Sequence, residues 1–120
     1  MSAIALVRTY LERMEARDWD GLRATLAPDV LRKGPYRDDY TDADSYVAFL
    51  RSMFDWMVDY ELRVVQVWGD GASRAIAELS ETVTLDGKRL RTDEAIVFDV
   101  DETHGVITRV QVFLQQSYDP

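Results

Sequence analysis

Two glutamates occupy positions where a carboxyl group could do chemistry. Glu81 and Glu94 lie on successive predicted strands, and each is the one charged residue on an otherwise apolar face of its strand. A two-residue turn at Asp86-Gly87 would set Glu81 opposite Thr92, with Glu94 diagonal to Glu81 on the same face. The pattern therefore predicts two neighbouring carboxyl groups in apolar surroundings.

Such a pair suits acid/base chemistry. Desolvation and a nearby like charge both raise a carboxyl pKa, so one member could hold a proton while the other accepts one. Tyr10, on the apolar side of the first predicted helix, could add a hydrogen-bond donor or simply pack in the core. A structural alternative pairs either glutamate with Arg91, Arg109 or a backbone amide. If the alternation of inward and outward residues along the strands were shifted by one position, both glutamates would instead lie on the outer face of the sheet.

Aromatic side chains around the third predicted helix are candidates for a ligand site. Tyr36 and Tyr40 fall in a predicted loop, where they could form a lid. The residues predicted to contact a ligand are Tyr36, Tyr40, Trp56, Thr92, Phe98 and Val112.

Helical elements come first along the chain. Apolar residues recur at helical spacing over 3–17, and Asp18 or Asp20 can cap a short second helix that Pro28 would end. Residues 30–33 predict a short strand, which Gly34-Pro35 breaks. Residues 41–44 resemble a capping box and predict the start of a third helix.

Strands follow. The apolar alternation predicts strands over 60–68, 73–85, 89–101 and 106–116, joined by short turns, with Asp86-Gly87 as the clearest hairpin signal. Helices segregated from a largely antiparallel sheet predict an α+β fold. The length of 120 residues predicts one domain over 1–120.

Composition narrows the functional classes. The net charge of −8 disfavours nucleic acid as a partner, and the absence of cysteine excludes disulfides and thiolate metal sites. His104 is the one histidine and lies in a predicted turn, so we expect no metal site and no Ser-His-Asp triad. No signal peptide, membrane span or Gly-rich phosphate loop is evident, and we expect a cytoplasmic protein without a cofactor.

Both ends of the sequence resemble the SnoaL-like group of the NTF2-like (nuclear transport factor 2-like) superfamily. The resemblance rests on runs that open and close the chain: Leu6-Val7-Arg8-Thr9-Tyr10-Leu11, Ala16-Arg17-Asp18-Trp19-Asp20-Gly21-Leu22, Leu26-Ala27-Pro28-Asp29-Val30, Ile96-Val97-Phe98-Asp99-Val100 and Gly105-Val106-Ile107-Thr108-Arg109. It implies three N-terminal helices packed on a curved, mostly antiparallel sheet, as a cone that encloses an apolar pocket. It also implies a homodimer paired through the outer face of the sheet.

The residues associated with known reactions of this fold are mostly replaced here. Ketosteroid isomerases of the fold use a tyrosine, which Tyr10 matches, but their base position falls on Gly34 and their second acid near Ile96. In the Asp-Arg-Asp set of limonene-epoxide-hydrolase-like members, Glu81 matches one acid, whereas Leu79 stands at the arginine and Val112 near the second acid.

The acidic base of the cyclases also has no counterpart, because the corresponding segment is Val110-Gln111-Val112.

Three functional hypotheses follow. The first is an enzyme that isomerises, cyclises, dehydrates or hydrolyses a small apolar metabolite with Glu81, Glu94 and Tyr10. The second is a non-catalytic module that binds a small molecule, and the third is a dimeric interaction domain.

Overall fold

The computed structural model describes residues 2–120, which form an α+β fold with helices on one face of a curved five-stranded sheet. The elements in chain order are α1 (Ala3–Glu15), α2 (Trp19–Arg23), β1 (Leu26–Lys33), α3 (Ala43–Phe54), β2 (Val58–Gly69), β3 (Arg74–Leu85), β4 (Lys88–Asp101) and β5 (Val106–Leu114). The strand order is β1-β5-β4-β3-β2, with β1 parallel to β5 and the other pairs antiparallel. The predicted α+β class is confirmed.

The helices begin at side-chain caps. Ser2 Oγ accepts a hydrogen bond from the Ala5 amide at 3.1 Å and starts α1, as expected for an N-terminal serine cap. The α3 cap is Asp42 rather than the predicted box that begins at Thr41, because the Asp42 carboxylate accepts from the Ser45 amide at 2.8 Å. A carboxylate also interacts favourably with the positive end of the helix dipole.

Pro28 does not end α2, contrary to the prediction. That helix ends at Arg23, and β1 already begins at Leu26, four positions before the predicted start of the strand. Pro28 lies inside β1, where the pairing of β1 with β5 shifts between Leu26 and Leu31. Proline has no amide hydrogen, so an irregular stretch of an edge strand accommodates it.

The hairpin between β3 and β4 has the predicted register. Asp86 and Gly87 both have positive φ, at 51° and 76°, as a type I′ turn requires. Leu85 pairs with Lys88 and Glu81 pairs with Thr92. The faces of β3 and β4 are therefore those predicted from the alternation of residues.

The core lies where α1 packs on the inner face of the sheet. Val7 on α1 and Ala77, Phe98 and Val110 on the strands are completely buried. None of the helices within residues 2–120 is long and apolar enough to cross a membrane. A cavity lies between α3 and the inner face of the sheet.

Candidate functional site

The cavity has a volume of about 590 Å³ and lies between α3, the loop after β1 and the inner face of the sheet. Its wall is mostly apolar and aromatic, with side chains such as Met14, Phe49, Leu50, Met53 and Trp56. The volume is within the range of sites for small molecules, which are roughly 300–1,000 Å³. Few charged residues reach the wall: Arg32, Asp38, Glu81 and Glu94.

Glu81 and Glu94 both face this cavity. Glu94 pairs with Leu79 and Glu81 with Thr92, so the two glutamates are diagonal neighbours on β3 and β4. Glu94 is only 8% exposed, and neither glutamate forms a salt bridge within residues 2–120.

The arginines considered as alternative partners lie elsewhere. Arg91 pairs with Asp93 at 3.0 Å, and Arg109 pairs with Asp99 at 3.3 Å. The glutamates are therefore together on the inner face, as predicted, and not on the outer one.

The environment of Glu94 keeps it protonated at neutral pH. Burial raises the pKa of Glu94 well above its usual range, and the hydrogen bond and charge of Glu81 raise it further, while Arg32 acts weakly in the opposite direction. A hydrogen bond between two carboxyl groups requires that one of them carries a proton. We assign that proton to Glu94, which leaves Glu81 as the acceptor.

Tyr60 holds the second member of the pair. Its hydroxyl donates a hydrogen bond to Glu81 Oε2 at 2.5 Å. Burial raises the pKa of Tyr60, and the neighbouring Glu81 charge raises it further, so the hydroxyl remains a donor. Tyr60 does not line the cavity. It acts on Glu81 from behind the wall.

Tyr10 lines the cavity, but its immediate partner is another tyrosine. The hydroxyls of Tyr10 and Tyr46 form a short, buried hydrogen bond. Burial raises the pKa of both phenols. The ring of Tyr10 packs edge-on against Phe98, with centroids 5.4 Å apart. Tyr10 therefore packs in the core with its ring and contributes its hydroxyl to the cavity wall.

Arg32 brings a buried cation to the same cavity. Its side chain is 8% exposed, and Nη1 donates to Asp38 Oδ2 at 2.7 Å and to the Asp38 carbonyl at 3.1 Å. The guanidinium lies over the rings of Tyr46 and Phe49, at 5.6 Å and 4.9 Å from their centroids. Burial acts to raise the pKa of Asp38, but the hydrogen bonds from Arg32 and backbone amides outweigh it and lower that pKa.

Gly34 makes room for this ion pair. A Cβ at position 34 would lie 2.0 Å from Asp38 Oδ1 and 2.4 Å from Arg32 Nη1, both too close for atoms that are not bonded. Gly34 stands where the resemblance to ketosteroid isomerases places their base. The structure thus puts an arginine–aspartate pair against the position where those enzymes have a carboxylate.

The residues predicted to contact a ligand divide into two groups. Tyr36, Trp56, Thr92 and Val112 line the cavity. Tyr40 and Phe98 do not: Tyr40 packs beside Phe49 at 4.8 Å between ring centroids, and Phe98 is completely buried. Tyr40 is half-buried beside that ring and Phe98 is covered by the core, so neither side chain is part of the cavity wall.

Sequence reasoning missed Arg32, Tyr46 and Tyr60 as site residues. For Tyr60 a signal was present in the sequence, because Tyr60, Leu62 and Val64 alternate with the charged Glu61 and Arg63. For Arg32 the signal was its place two residues after Val30 on the buried face of β1. Tyr46 lies at helical spacing with Leu50 on the buried face of α3, but nothing in that pattern indicates its contact with Tyr10.

Metal-binding side chains do not cluster in the part of the chain that the structure describes. No group of three or more histidine, cysteine, aspartate or glutamate residues comes close enough to hold an ion there. His104 lies in the turn between β4 and β5, where its Nδ1 is 2.6 Å from Asp101 Oδ2. That turn residue has no contact with the cavity wall.

Comparison with known proteins identifies the family. Residues 7–110 match the SnoaL-like domain, so the chain belongs to the SnoaL-like family. A comparison with curated proteins finds no matching sequence.

Solved structures with the same architecture differ in the reactions that their names state. The LEH-like epoxide hydrolase of M. tuberculosis is 22% identical with a TM-score of 0.79, over 94% of this chain and 82% of that chain. A provisionally assigned ketosteroid isomerase from Kribbella flavida DSM 17836 is 28% identical with a TM-score of 0.74, over 98% and 80%.

A provisionally assigned SnoaL-like polyketide cyclase from Shewanella putrefaciens CN-32 is 12% identical with a TM-score of 0.80, over 95% and 80%. Together these likenesses establish the NTF2-like fold. They do not select one reaction, because one fold carries many functions.

Proposed function

We propose that this protein binds a small, largely apolar molecule in the cavity and catalyses a proton transfer on it, with Glu81 as base and Glu94 as acid. The observation that carries the proposal is the pair of carboxyl groups that lie as diagonal neighbours in the wall of a mostly apolar cavity. Burial and the neighbouring Glu81 raise the pKa of Glu94, as a general acid requires. Tyr60 positions Glu81, and Tyr10, whose hydroxyl is hydrogen-bonded to that of Tyr46, lines the same wall.

The contact between the two carboxyl groups favours isomerisation within the range of acid/base reactions. Groups that touch each other on one wall serve the same face of a bound molecule. Glu81 would remove a proton from a carbon next to a carbonyl or double bond, and Glu94 would give its own proton to an atom two bonds away. The charge would then reside on Glu94, and the proton on Glu81 could return along their mutual hydrogen bond.

Syn dehydration uses the same arrangement, with the proton of Glu94 given to a leaving hydroxyl and a carbon-bound proton taken by Glu81. Cyclisation and hydrolysis also need one acid and one base. Hydrolysis by attack of water on the face opposite to the acid would need a base on that face. Both carboxyl groups of this pair lie on one wall, so we rank hydrolysis below isomerisation.

A non-catalytic binding protein is the second candidate. It is favoured by one observation: the pair is hydrogen-bonded internally and to Tyr60, so its polar groups are satisfied without a substrate. A binding protein would raise its unfolding temperature with a ligand and release that ligand unchanged.

The test has two stages. Thermal unfolding with a panel of steroids, terpenoid epoxides, polyketide fragments and amines identifies molecules that the folded protein binds. Turnover is then followed with β,γ-unsaturated ketones and acids of matching size, by the absorbance of the conjugated isomers. Glu81→Gln and Glu94→Gln should each abolish turnover but leave binding, whereas Glu12→Gln on the exposed side of α1 should change neither. Turnover that survives the Glu81→Gln, Glu94→Gln double substitution contradicts the proposal.

We also propose that two copies pair through the outer face of the sheet. Phe113, Ala95 and Glu78 form a row across β5, β4 and β3 on that face, and Val65 lies beside it. Phe113 and Val65 are about half exposed, at 52% and 49%. A self-complementary contact of this kind would cover apolar surface that is otherwise in water.

A further inference from the structure

Among the described residues, Arg32 is the one cation in the wall of a cavity that is otherwise lined by apolar, hydroxyl-bearing and acidic side chains. It extends from β1, the edge strand beside β5, and only 6% of the residue is exposed. Arginine is almost never so deeply buried unless its charge and donors have partners. The partners of Arg32 therefore indicate what the residue is for.

Those partners leave the guanidinium incompletely satisfied. Five N–H groups are available to an arginine, and Nη1 directs its hydrogen bonds to the carboxylate and carbonyl of one residue, Asp38. The guanidinium also lies over the rings of Tyr46 and Phe49. Burial raises the pKa of Tyr46, while the charge of Arg32 and a hydrogen bond from it act in the opposite direction. Nε is buried without any hydrogen-bond partner among the described residues. An unmatched buried donor is destabilising, so a ligand that brought an acceptor to it would offset that cost.

The partner that Arg32 does have is well placed to be exchanged. Asp38 belongs to the loop between β1 and α3, and one third of its side chain is exposed. Beside it, Tyr36 is 81% exposed and also lines the cavity. A carboxylate that enters from this side would meet the guanidinium where Asp38 now contacts it.

We propose that Arg32 binds the carboxylate of the cavity's ligand, so that this ligand is an apolar small-molecule acid. The inference rests on the proposed function and names the substrate class of the same site. The planar fork of arginine matches two carboxylate oxygens. Nε has no exposed surface in the present arrangement. The guanidinium must therefore turn from Asp38 toward the ligand before Nε can gain a partner.

The charges of the cavity then fix the orientation of the ligand. A ligand carboxylate at the glutamate pair would lie beside two further acidic groups, whereas at the other end of the cavity the charge of Arg32 attracts it. The acid group therefore lies at the Arg32 end, and the apolar part lies among side chains such as Phe49 and Trp56. This orientation presents carbon atoms, rather than the carboxylate, to the glutamate pair.

Matched ligands test the inference independently of turnover. We would measure binding by calorimetry for decanoate and 4-phenylbutanoate, each with its methyl ester and its matching primary amine. We expect each acid to bind about tenfold or more tightly than its ester, the usual gain from a charge-assisted bidentate contact. Arg32→Gln should remove that preference, and Arg32→Lys should retain part of it if Arg32→Gln does not fold.

Two further variants distinguish ligand binding from a structural role. Asp38→Asn removes the competing carboxylate and should tighten the acids while leaving the esters unchanged. Arg37→Gln removes a charge from an exposed position on the same loop and should change neither. If Arg32 only supported the loop, Asp38→Asn would weaken both ligand types alike.

The outcomes separate this inference from the proposed function. Equal binding of acids and esters by the unaltered protein, or tighter binding of the amines, would overturn the inference and leave the role of Glu81 and Glu94 intact. Acid preference together with turnover that survives loss of both glutamates would support the inference and overturn the proposed function. Absence of binding by every probe would overturn the inference, and the panel of steroids, terpenoid epoxides, polyketide fragments and amines would then decide the proposed function.

Discussion

Glu94 forms no salt bridge with any residue from 2 to 120, and its diagonal neighbour across the β3–β4 ladder is a second carboxyl group, Glu81. Two carboxyl groups in this relationship hold one proton between them, since two adjacent negative charges in an apolar wall would repel each other strongly. The proton on Glu94 is therefore a structural requirement at neutral pH as well as a resource for chemistry.

The stability of the protein should depend on this proton. The pKa of Glu94 is raised above its ordinary value of 4.5, so the folded state retains a proton that the unfolded chain loses as pH rises past that value. The stabilising contribution is complete below that pH and declines as pH increases, by up to about 1.4 kcal/mol per pH unit for one group. Glu94→Gln has no such proton to lose.

Urea unfolding at pH values from about 5 to about 8 measures the effect. The free energy of unfolding of the unaltered protein, minus that of Glu94→Gln, should fall steadily with pH. The exposed Glu12→Gln should follow the unaltered protein. A difference that stays constant across this range would mean that Glu94 is ionised in the folded protein.

Tyr60 should act on the rate and not on ligand affinity. Tyr60→Phe removes the hydroxyl that donates to Glu81, a hydrogen bond to a charged group worth about 1.5–3 kcal/mol. Because Tyr60 does not line the cavity, we expect kcat to fall about tenfold to a hundredfold with KM unchanged. We also expect the acidic limb of the pH–rate profile to move to higher pH, since Glu81 loses a hydrogen-bond donor. Steady-state kinetics across pH would decide this, and a change confined to KM would show direct contact with substrate.

Gly34→Ala should disrupt the Arg32–Asp38 pair without touching the glutamates. The new methyl group would overlap Asp38 Oδ1 and Arg32 Nη1, and both side chains must move. We expect altered binding of apolar acids in calorimetry, while the pH dependence of stability attributed to Glu94 remains. Gly87 has open space around it, but its φ of 76° makes Gly87→Ala a test of backbone strain instead.

Charge placed on the outer face of the sheet should separate a dimer. In Phe113→Lys a cation replaces an aromatic ring that is 52% exposed, and two such cations would meet near the symmetry axis of the proposed pair. Sedimentation analysis should find a dimer for the unaltered protein and a monomer for the variant. Glu102→Lys, in the exposed turn after β4, is the matched control. A monomer before any substitution would refute the pairing.

The order of elements and the position of the glutamate pair were accessible from the sequence because both depend on local patterns. Alternation along β3 and β4 assigns each side chain to a face, and Asp86-Gly87 fixes the register between the two strands. Glu81 and Glu94 are only 13 positions apart (94 − 81) and are joined by one tight turn.

The rest of the site depends on distant pairings that no local pattern specifies. Arg32 reaches the cavity because β1 pairs in parallel with β5 and the following loop returns Asp38 to it. The contact of Tyr60 with Glu81 lies near a shift in the β2–β3 register between Val58 and Glu61. Pro28 misled the prediction because proline ends helices and is also tolerated in irregular edge strands.

The two-residue hairpin at Asp86-Gly87 also limits how this protein can change during evolution. Glu81 lies five positions before the turn, roughly 16 Å along the strand at about 3.3 Å per residue. Insertion of one residue next to the turn would invert the faces of one strand, expose Glu94 to solvent and turn its apolar neighbours outward. Lineages that retain this chemistry should therefore tolerate substitutions in the hairpin loop far more readily than single-residue insertions or deletions.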